Sequence, residues 1–400
     1  MKCQATSSAV GVHERKGDSE QAATLSSPRL RKYWAPLSIV IVSVLLAFAL
    51  LAVSAGYRFT QWSSDVPSAA QLSLCPNPTL RPDWRTLGNS QKSAYISAVK
   101  CLQRLPSISN NLRGANTRFD DFQAIHVAMA DQGQFLPWHR RFLKLFEVAL
   151  QDECGYEGGL PFVLVSCSQV AAHCLRSYYD WSPDIDSGIP LAKFLIFDAV
   201  YGFGGNGLDI PNYAGQFGNL SALASAGWLA PGAGGGCIVD GPFAAYNLSV
   251  GPGTSATNHC LQRAFNDNIR QFLSSDMIKH VLRQTTYETF RIELEGAPVT
   301  QTMRLHDGGH NLVGGEIADH YSSPGDPIFY LHHAFVDKLW WDWVGLDFAS
   351  RIDQISGRTA VVPPYTNVTL DFELDTMVAP VVAIREVMDI RNPLLCYTYG

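Results

Sequence analysis

Histidine sits where this chain is most apolar, and that placement limits what the chain can become. His126 and His139 lie in a helix-like stretch over residues 120–150, the second of them inside Phe135-Leu136-Pro137-Trp138-His139-Arg140-Arg141. His306, His310, His332 and His333 lie in another stretch over residues 304–344, the last two inside Asp326-Pro327-Ile328-Phe329-Tyr330-Leu331-His332-His333. An imidazole buried among aromatic rings without a partner is costly. Neutral imidazole is a ligand for copper, zinc, iron and nickel. Two histidine-rich helical pairs therefore point to a dinuclear metal centre inside a helical bundle. His306 and His310 are spaced i, i+4, which puts both rings on one helix face. Between them stands Asp307-Gly308-Gly309, not the glutamate-bearing spacer of a zinc protease, so that mechanism lacks its base. Of the adjacent pair, His332 is expected to be a hydrogen-bonded core residue and His333 a ligand. Asp337, one turn beyond His333, is expected to accept a hydrogen bond from a ligand's other ring nitrogen.

The apolar periodicity predicts helices over 90–105, 120–130 and 140–152, with helical pattern again over 261–294. A last helix is expected to start at Asp326-Pro327, a cap followed by a first-turn proline, and to run through Trp343. The stretch 201–258 is dense in Gly, Pro, Asn and Ser and reads as loop. Within it Gly202-Phe203-Gly204-Gly205-Asn206-Gly207 matches G-x-G-x-x-G, but the following Leu208-Asp209-Ile210-Pro211 cannot open the helix a dinucleotide site needs. A formal net charge of -6 gives no reason to expect nucleic acid.

Residues 1–34 are polar and Ser-rich and read as a disordered cytoplasmic tail. Residues 36–55 carry no charge; at about 1.5 Å per residue they reach roughly 30 Å, the thickness of a hydrocarbon core. Arg29, Arg31 and Lys32 just before them place the N-terminus in the cytoplasm and the rest of the chain in the lumen or outside the cell. The expectation is a transmembrane signal anchor over 35–56. The alternative is a secreted protein cleaved near Ala55, where Val53-Ser54-Ala55 offers small residues. Sequons at Asn219, Asn247 and Asn367 all follow this segment and are expected glycosylation sites. Cys75, Cys101, Cys154, Cys237, Cys260 and Cys396 form an even set suited to an oxidising compartment. Cys237 with Cys260 closes a Gly-rich loop. For the other four, Cys101 with Cys154 and Cys75 with Cys396 is one pairing, which spacing alone does not select.

Residues 135–141, the Pro-Ile-Phe-Tyr-Leu-His-His-x-x-x-Asp-Lys-x-Trp run at 327–340 and the terminal Tyr397-Thr398-Tyr399-Gly400 together resemble the tyrosinase and catechol oxidase family, whose sites hold paired type-3 coppers. Cys75, Asp83-Trp84-Arg85-Thr86-Leu87, Asp152-Glu153-Cys154-Gly155-Tyr156 and Tyr179-Asp180-Trp181-Ser182-Pro183-Asp184 are similar to the short forms of filamentous fungi. The resemblance covers roughly 75–400 and implies a mainly α fold: a four-helix bundle with long loops forming a copper-binding core domain. It implies that His126 and His139 bind a first copper and His306, His310 and His333 a second. It implies two copper ions per chain, O2 as oxidant, and ortho-hydroxylation of phenols or oxidation of catechols to quinones. Substrates in that family include aromatic secondary metabolites and tyrosine-containing peptides. The resemblance also implies that Tyr-x-Tyr packs on an N-terminal arginine, here Arg81 or Arg85. Asp307, directly after the first ligand of the second copper, and Glu295 are the candidate base and water-orienting carboxylate.

Two departures stand against a complete site. The family places a further ligand between the residues matching His126 and His139, and 127–134 contains no histidine. The first copper is therefore one ligand short. The family's Pro-Tyr-Trp-Asp-Trp motif is also split: residues 162–177, holding Cys167, His173 and Cys174, separate Pro161 from Tyr178-Tyr179-Asp180-Trp181. Removing them restores a near-family motif, as a retained intron would explain, while His173 is the replacement ligand the insert offers. The competing reading is a non-catalytic or single-copper relative.

Overall fold

The computed structural model describes residues 74–109, 111–130, 134–157, 177–211, 234–296, 299–300, 302–361 and 363–400. The expected tail and anchor, Asn219, His173 and nearly all of the insert lie outside these residues. Among the described residues no helix is long and apolar enough to cross a membrane.

The helices are α1 (Asn89–Leu102), α2 (Arg118–Met129), α3 (Phe135–Asp152), α4 (Ser182–Asp186), α5 (Ser275–Leu282), α6 (Tyr287–Glu295), α7 (Leu305–Val313), α8 (Ile328–Gly345) and α9 (Phe348–Arg351). Thr117 starts α2 with a capping box: its hydroxyl accepts from Asp120 N at 3.2 Å, and the Asp120 carboxylate accepts from Thr117 N at 2.8 Å. Helix α3 begins at Phe135, five residues before the expected Arg140. Pro137 falls in its first turn, where no backbone N–H is needed, so it does not break the helix. That extension matters, because it puts His139 on a helix instead of in a loop. At the start of α8 the Asp326 carboxylate accepts from Ile328 N at 3.0 Å and pairs with the buried Arg263 at 2.7 Å. Helix α8 is buried on nearly every side, as expected of a helix apolar all round. The expected helical stretch 261–294 resolves into a 3-10 segment, Asp267–Leu273, followed by α5 and α6.

The core is a helical bundle in which α8 packs on α3 and α7, while the 3-10 turn Ser323–Gly325 rests on α2. Its centre is aromatic. Tyr330 of α8 stacks on Phe146 of α3 at 3.5 Å between centroids, and Phe119 and Phe122 of α2 meet Phe146 edge-on. Such offset and edge contacts add about 0.5–1.5 kcal/mol each beyond area burial.

Short two-stranded ladders trim the bundle. Thr79–Arg81 runs parallel to Tyr397–Tyr399, bringing the two ends of the core side by side. Disulfides join Cys75 to Cys396, Cys101 to Cys154 and Cys237 to Cys260. The second of these ties the end of α1 to the end of α3. Gly207–Asp209 enters a strand, not a helix, after the glycine-rich run. Asn247 and Asn367 are both exposed.

Candidate metal centre

Helices α2, α3, α7 and α8 each carry at least one histidine into a common interior. His126 is 6% exposed, His310 9%, and His332 and His333 2% or less. His126 Nδ1 donates to the Tyr321 carbonyl at 2.7 Å, and His139 Nδ1 to the Phe135 carbonyl at 2.8 Å. His306 Nδ1 donates to the Glu295 carbonyl at 2.9 Å, and His310 Nδ1 to the Ile317 carbonyl. A carbonyl oxygen only accepts, so each of these neutral rings carries its proton on Nδ1 and leaves a lone pair on Nε2.

Those lone pairs converge. The Nε2 atoms of His126 and His139 stand 3.4 Å apart, and those of His310 and His333 stand 3.0 Å apart. The His306 ring lies 4.5 Å from His310 and 5.0 Å from His333. The two groups meet where His139 stacks on His333 at 4.3 Å. Protonation cannot relieve this crowding, because burial above all holds every one of these imidazoles well below its ordinary pKa. Burial, with a smaller push from neighbouring imidazoles, brings His139 down to about 3 and His310 to about 4. His126, His306 and His333 move the same way, from burial first and the adjacent imidazoles second. Buried neutral imidazoles aimed at one another form a donor set for a soft or borderline cation.

His332 stands inside the same cluster, its ring nitrogens within 4.8 Å of those of His306 and His310. It is nevertheless committed elsewhere. Trp181 Nε1 donates to its Nδ1 at 3.1 Å, and its Nε2 donates to the His306 carbonyl at 3.0 Å. An indole only donates and a carbonyl only accepts, so the tautomer is fixed and no lone pair remains for a metal. His333 is the residue whose Nε2 faces His310. Phe135 and Phe329 wall the site: Phe135 lies 4.7 Å from His139 and 4.5 Å from His306, and Phe329 lies 4.1 Å from His333.

Asp337 requires a correction. It does not accept from a ring nitrogen of a histidine; His333 Nδ1 is buried with no hydrogen-bond partner among the described residues. Asp337 instead accepts from Arg140 Nε at 2.6 Å and from the hydroxyls of Tyr397 and Tyr399, with Arg81 3.6 Å away. One turn along α8 turns the carboxylate away from the metal face and onto α3, which the i, i+4 spacing alone does not reveal. Arg81, not Arg85, packs on the Tyr-x-Tyr, with its guanidinium 3.2 Å from the Tyr397 ring centre. Arg85 binds Asp83.

The two carboxylates near the second histidine group differ in burial. Burial pushes Glu295 up to about 8 against the opposing charge of Arg291, whose Nη1 lies 3.4 Å away. Asp307 is only half-buried, with one oxygen 3.6 Å from His306 Nδ1.

Sequence reasoning missed Trp181 as the residue that orients His332. It also missed Gly309. A Cβ there would stand 2.1 Å from His332 Cε1, so the glycine allows α7 to lie directly on the His332 ring. Ordinarily Gly→Ala inside a helix stabilises by about 1 kcal/mol. Gly309→Ala should do the opposite, displacing His332 and α7 together. Thermal melts and bound-metal content of the variant check this; a higher melting temperature with unchanged metal content would refute the close-approach argument.

The common central domain of tyrosinase matches residues 116–346 of the chain. The chain is 31% identical over 359 residues to N-acetyl-6-hydroxytryptophan oxidase ivoB of Emericella nidulans, covering 81% of this chain and 92% of the relative. It is 31% identical over 339 residues to tyrosinase ustQ of Aspergillus flavus, covering 81% and 80% respectively. A solved structure of a polyphenol oxidase variant from Thermothelomyces thermophila superposes with a TM-score of 0.67 at 29% identity, covering 81% of this chain and 89% of that one.

Proposed function

The chain belongs to the tyrosinase family, and from that premise we propose that it is a copper-dependent oxidase of phenols or catechols, with His306, His310 and His333 holding one copper and His126 and His139 contributing to another. The observation that carries this reading is the convergence of buried Nε2 lone pairs, four of the five rings being fixed by an Nδ1 hydrogen bond to a carbonyl. Copper, when bound, supplies oxygen binding and the transfer of electrons from the substrate.

The chain's own residues do the rest. The carbonyls of Tyr321, Phe135, Glu295 and Ile317 lock the ring orientations before any metal arrives, so little ordering is left to be done on binding. Phe135 and Phe329 keep water from the interior of the site. Glu295, held mostly protonated at neutral pH, is suited to donating a hydrogen bond near His306, while the more exposed Asp307 is suited to accepting a phenolic proton. The substrate class that fits is a small hydroxylated aromatic, either a secondary metabolite or a tyrosine-containing peptide. The hydroxytryptophan named for one relative belongs to this chemistry.

The lumenal or extracellular placement is supported by three disulfides and two exposed sequons. The uncharged run 36–55 is the proposed anchor.

A second reading is a one-copper or non-catalytic relative, favoured by the lack of histidine in 127–134. Copper per chain and quinone absorbance from a catechol under air separate the two. Two coppers with quinone formation is the expected result; one copper and no quinone would leave the second reading standing. In a membrane fraction the same protein should shift on endoglycosidase treatment, and recovery in the cytosol without a shift would sink the placement.

A further inference from the structure

One fully buried carboxylate is used by no step of the proposed chemistry. Glu316, in the 3-10 turn Gly315–Ala318, is 0% exposed. Burying a carboxylate is costly unless it is paired and hydrogen-bonded. Both oxygens of Glu316 are engaged: Oε2 faces His259 Nε2 at 3.2 Å, and Oε1 accepts from Gln123 Nε2 at 2.9 Å. His259 comes from the short strand His259–Cys260, which a disulfide staples to Cys237. Burial lowers the His259 pKa, but the Glu316 carboxylate more than offsets this and holds the ring above its ordinary value.

Gln123 joins this pair to His126. It lies on α2 three residues before His126, on the same side of the helix, and is itself 0% exposed. Its amide nitrogen stands 2.9 Å from each of three acceptors: Glu316 Oε1, the Val250 carbonyl and the Ser322 carbonyl. All three only accept, so the amide is fixed with its nitrogen toward them. Ser322 directly follows Tyr321, whose carbonyl accepts from His126 Nδ1 at 2.7 Å. Asp319 fastens the same turn, accepting from Tyr321 N at 2.8 Å, from Ser322 N at 2.9 Å and from Gly253 N at 2.9 Å. Two glycines leave room for the carboxylate and the amide to meet. A Cβ on Gly325 would run into Gln123 Nε2, and one on Gly251 would stand 3.2 Å from Glu316 Oε1.

We infer that Glu316, backed by His259, is a positioning residue for His126: it aims the Gln123 amide at the Ser322 carbonyl and thereby sets the Tyr321 carbonyl against His126 Nδ1. The contact ties α2 to the turn before α8, so that His126 keeps its Nε2 lone pair turned toward His139. The consequence for metal binding rests on the dicopper reading above, whereas the orientation of the ring does not.

The test compares the full chain as wild type, Glu316→Leu, Glu316→Gln and Gln123→Leu, first without metal. Nitrogen NMR of protein labelled in its histidine rings reads the His126 tautomer, its signal being the one lost in His126→Asn. Wild type should show a ring protonated at Nδ1 alone. Glu316→Leu and Gln123→Leu should both show the averaged signal of a ring that exchanges tautomers, while His139, His306 and His310 keep theirs. Glu316→Gln, which retains an oxygen for the Gln123 amide, should restore the wild-type signal. In a His310→Ala background, copper ions titrated against a chelator should bind the remaining site about tenfold more weakly after Glu316→Leu, and normally after Glu316→Gln. Gln123→Leu leaves the Glu316–His259 pair intact, so it strands no charge if Glu316→Leu fails to fold. A wild-type His126 signal in Gln123→Leu, or no rescue by Glu316→Gln, overturns the inference. The expected tautomer changes in a chain that binds no copper would sink the dicopper reading and leave the positioning role standing.

Discussion

His310→Ala should lose the second copper and more than about 100-fold of catechol oxidation, beyond the 10–100-fold typical when only an outer hydrogen-bond partner of a ligand is removed. The ring is held from both ends of its imidazole. Nδ1 is fixed by the Ile317 carbonyl, and Nε2 opposes His333 Nε2 at 3.0 Å. No neighbouring group can replace it, because His332 has both nitrogens engaged by Trp181 and by the His306 carbonyl. The variant should still fold, since burial keeps this imidazole neutral and its removal strands no charge. Copper content and quinone absorbance on the same preparation measure the effect. Wild-type turnover with a full copper complement would refute the assignment of His310.

The ligand-bearing helices were legible in the sequence because their signals are local. The i, i+4 spacing of His306 and His310 and the apolar run around His333 hold within one or two turns. The start of α3 lies five residues before the expected Arg140, because Pro137 falls in the first turn, where no backbone N–H is needed. Asp337 was misassigned for a different reason. Its partners are Arg81, Arg140, Tyr397 and Tyr399, which come from both ends of the core and meet only through the parallel pairing of Thr79–Arg81 with Tyr397–Tyr399. The carbonyls that orient the rings are equally silent, since any residue can supply one.

Asp337→Ala should be the most damaging change away from the histidines. Arg140 is fully buried beneath α8 and Arg81 is fully buried against the Tyr397 ring, and both face this one carboxylate. Arg81 keeps Glu147 as a second partner, but Arg140 pairs with no other carboxylate among the described residues. Breaking a buried pair by removing one member strands a desolvated charge and costs about 3–5 kcal/mol. Burial alone would push the Asp337 carboxyl up, yet Arg140, Arg81 and the two tyrosine hydroxyls together hold it below its ordinary value. A carboxyl whose folded-state pKa is depressed contributes stability that is fully present above the unfolded value, near 3.9, and is lost as pH falls through the folded value. The deficit of Asp337→Ala relative to wild type should thus be large at pH 7 and shrink only on strong acidification. Denaturant unfolding of the copper-free proteins at pH 7 and at pH 3 measures both parts. A deficit below about 1 kcal/mol at pH 7 would mean that the arginines find other partners. A deficit that grows as pH falls would reverse the sign of the argument.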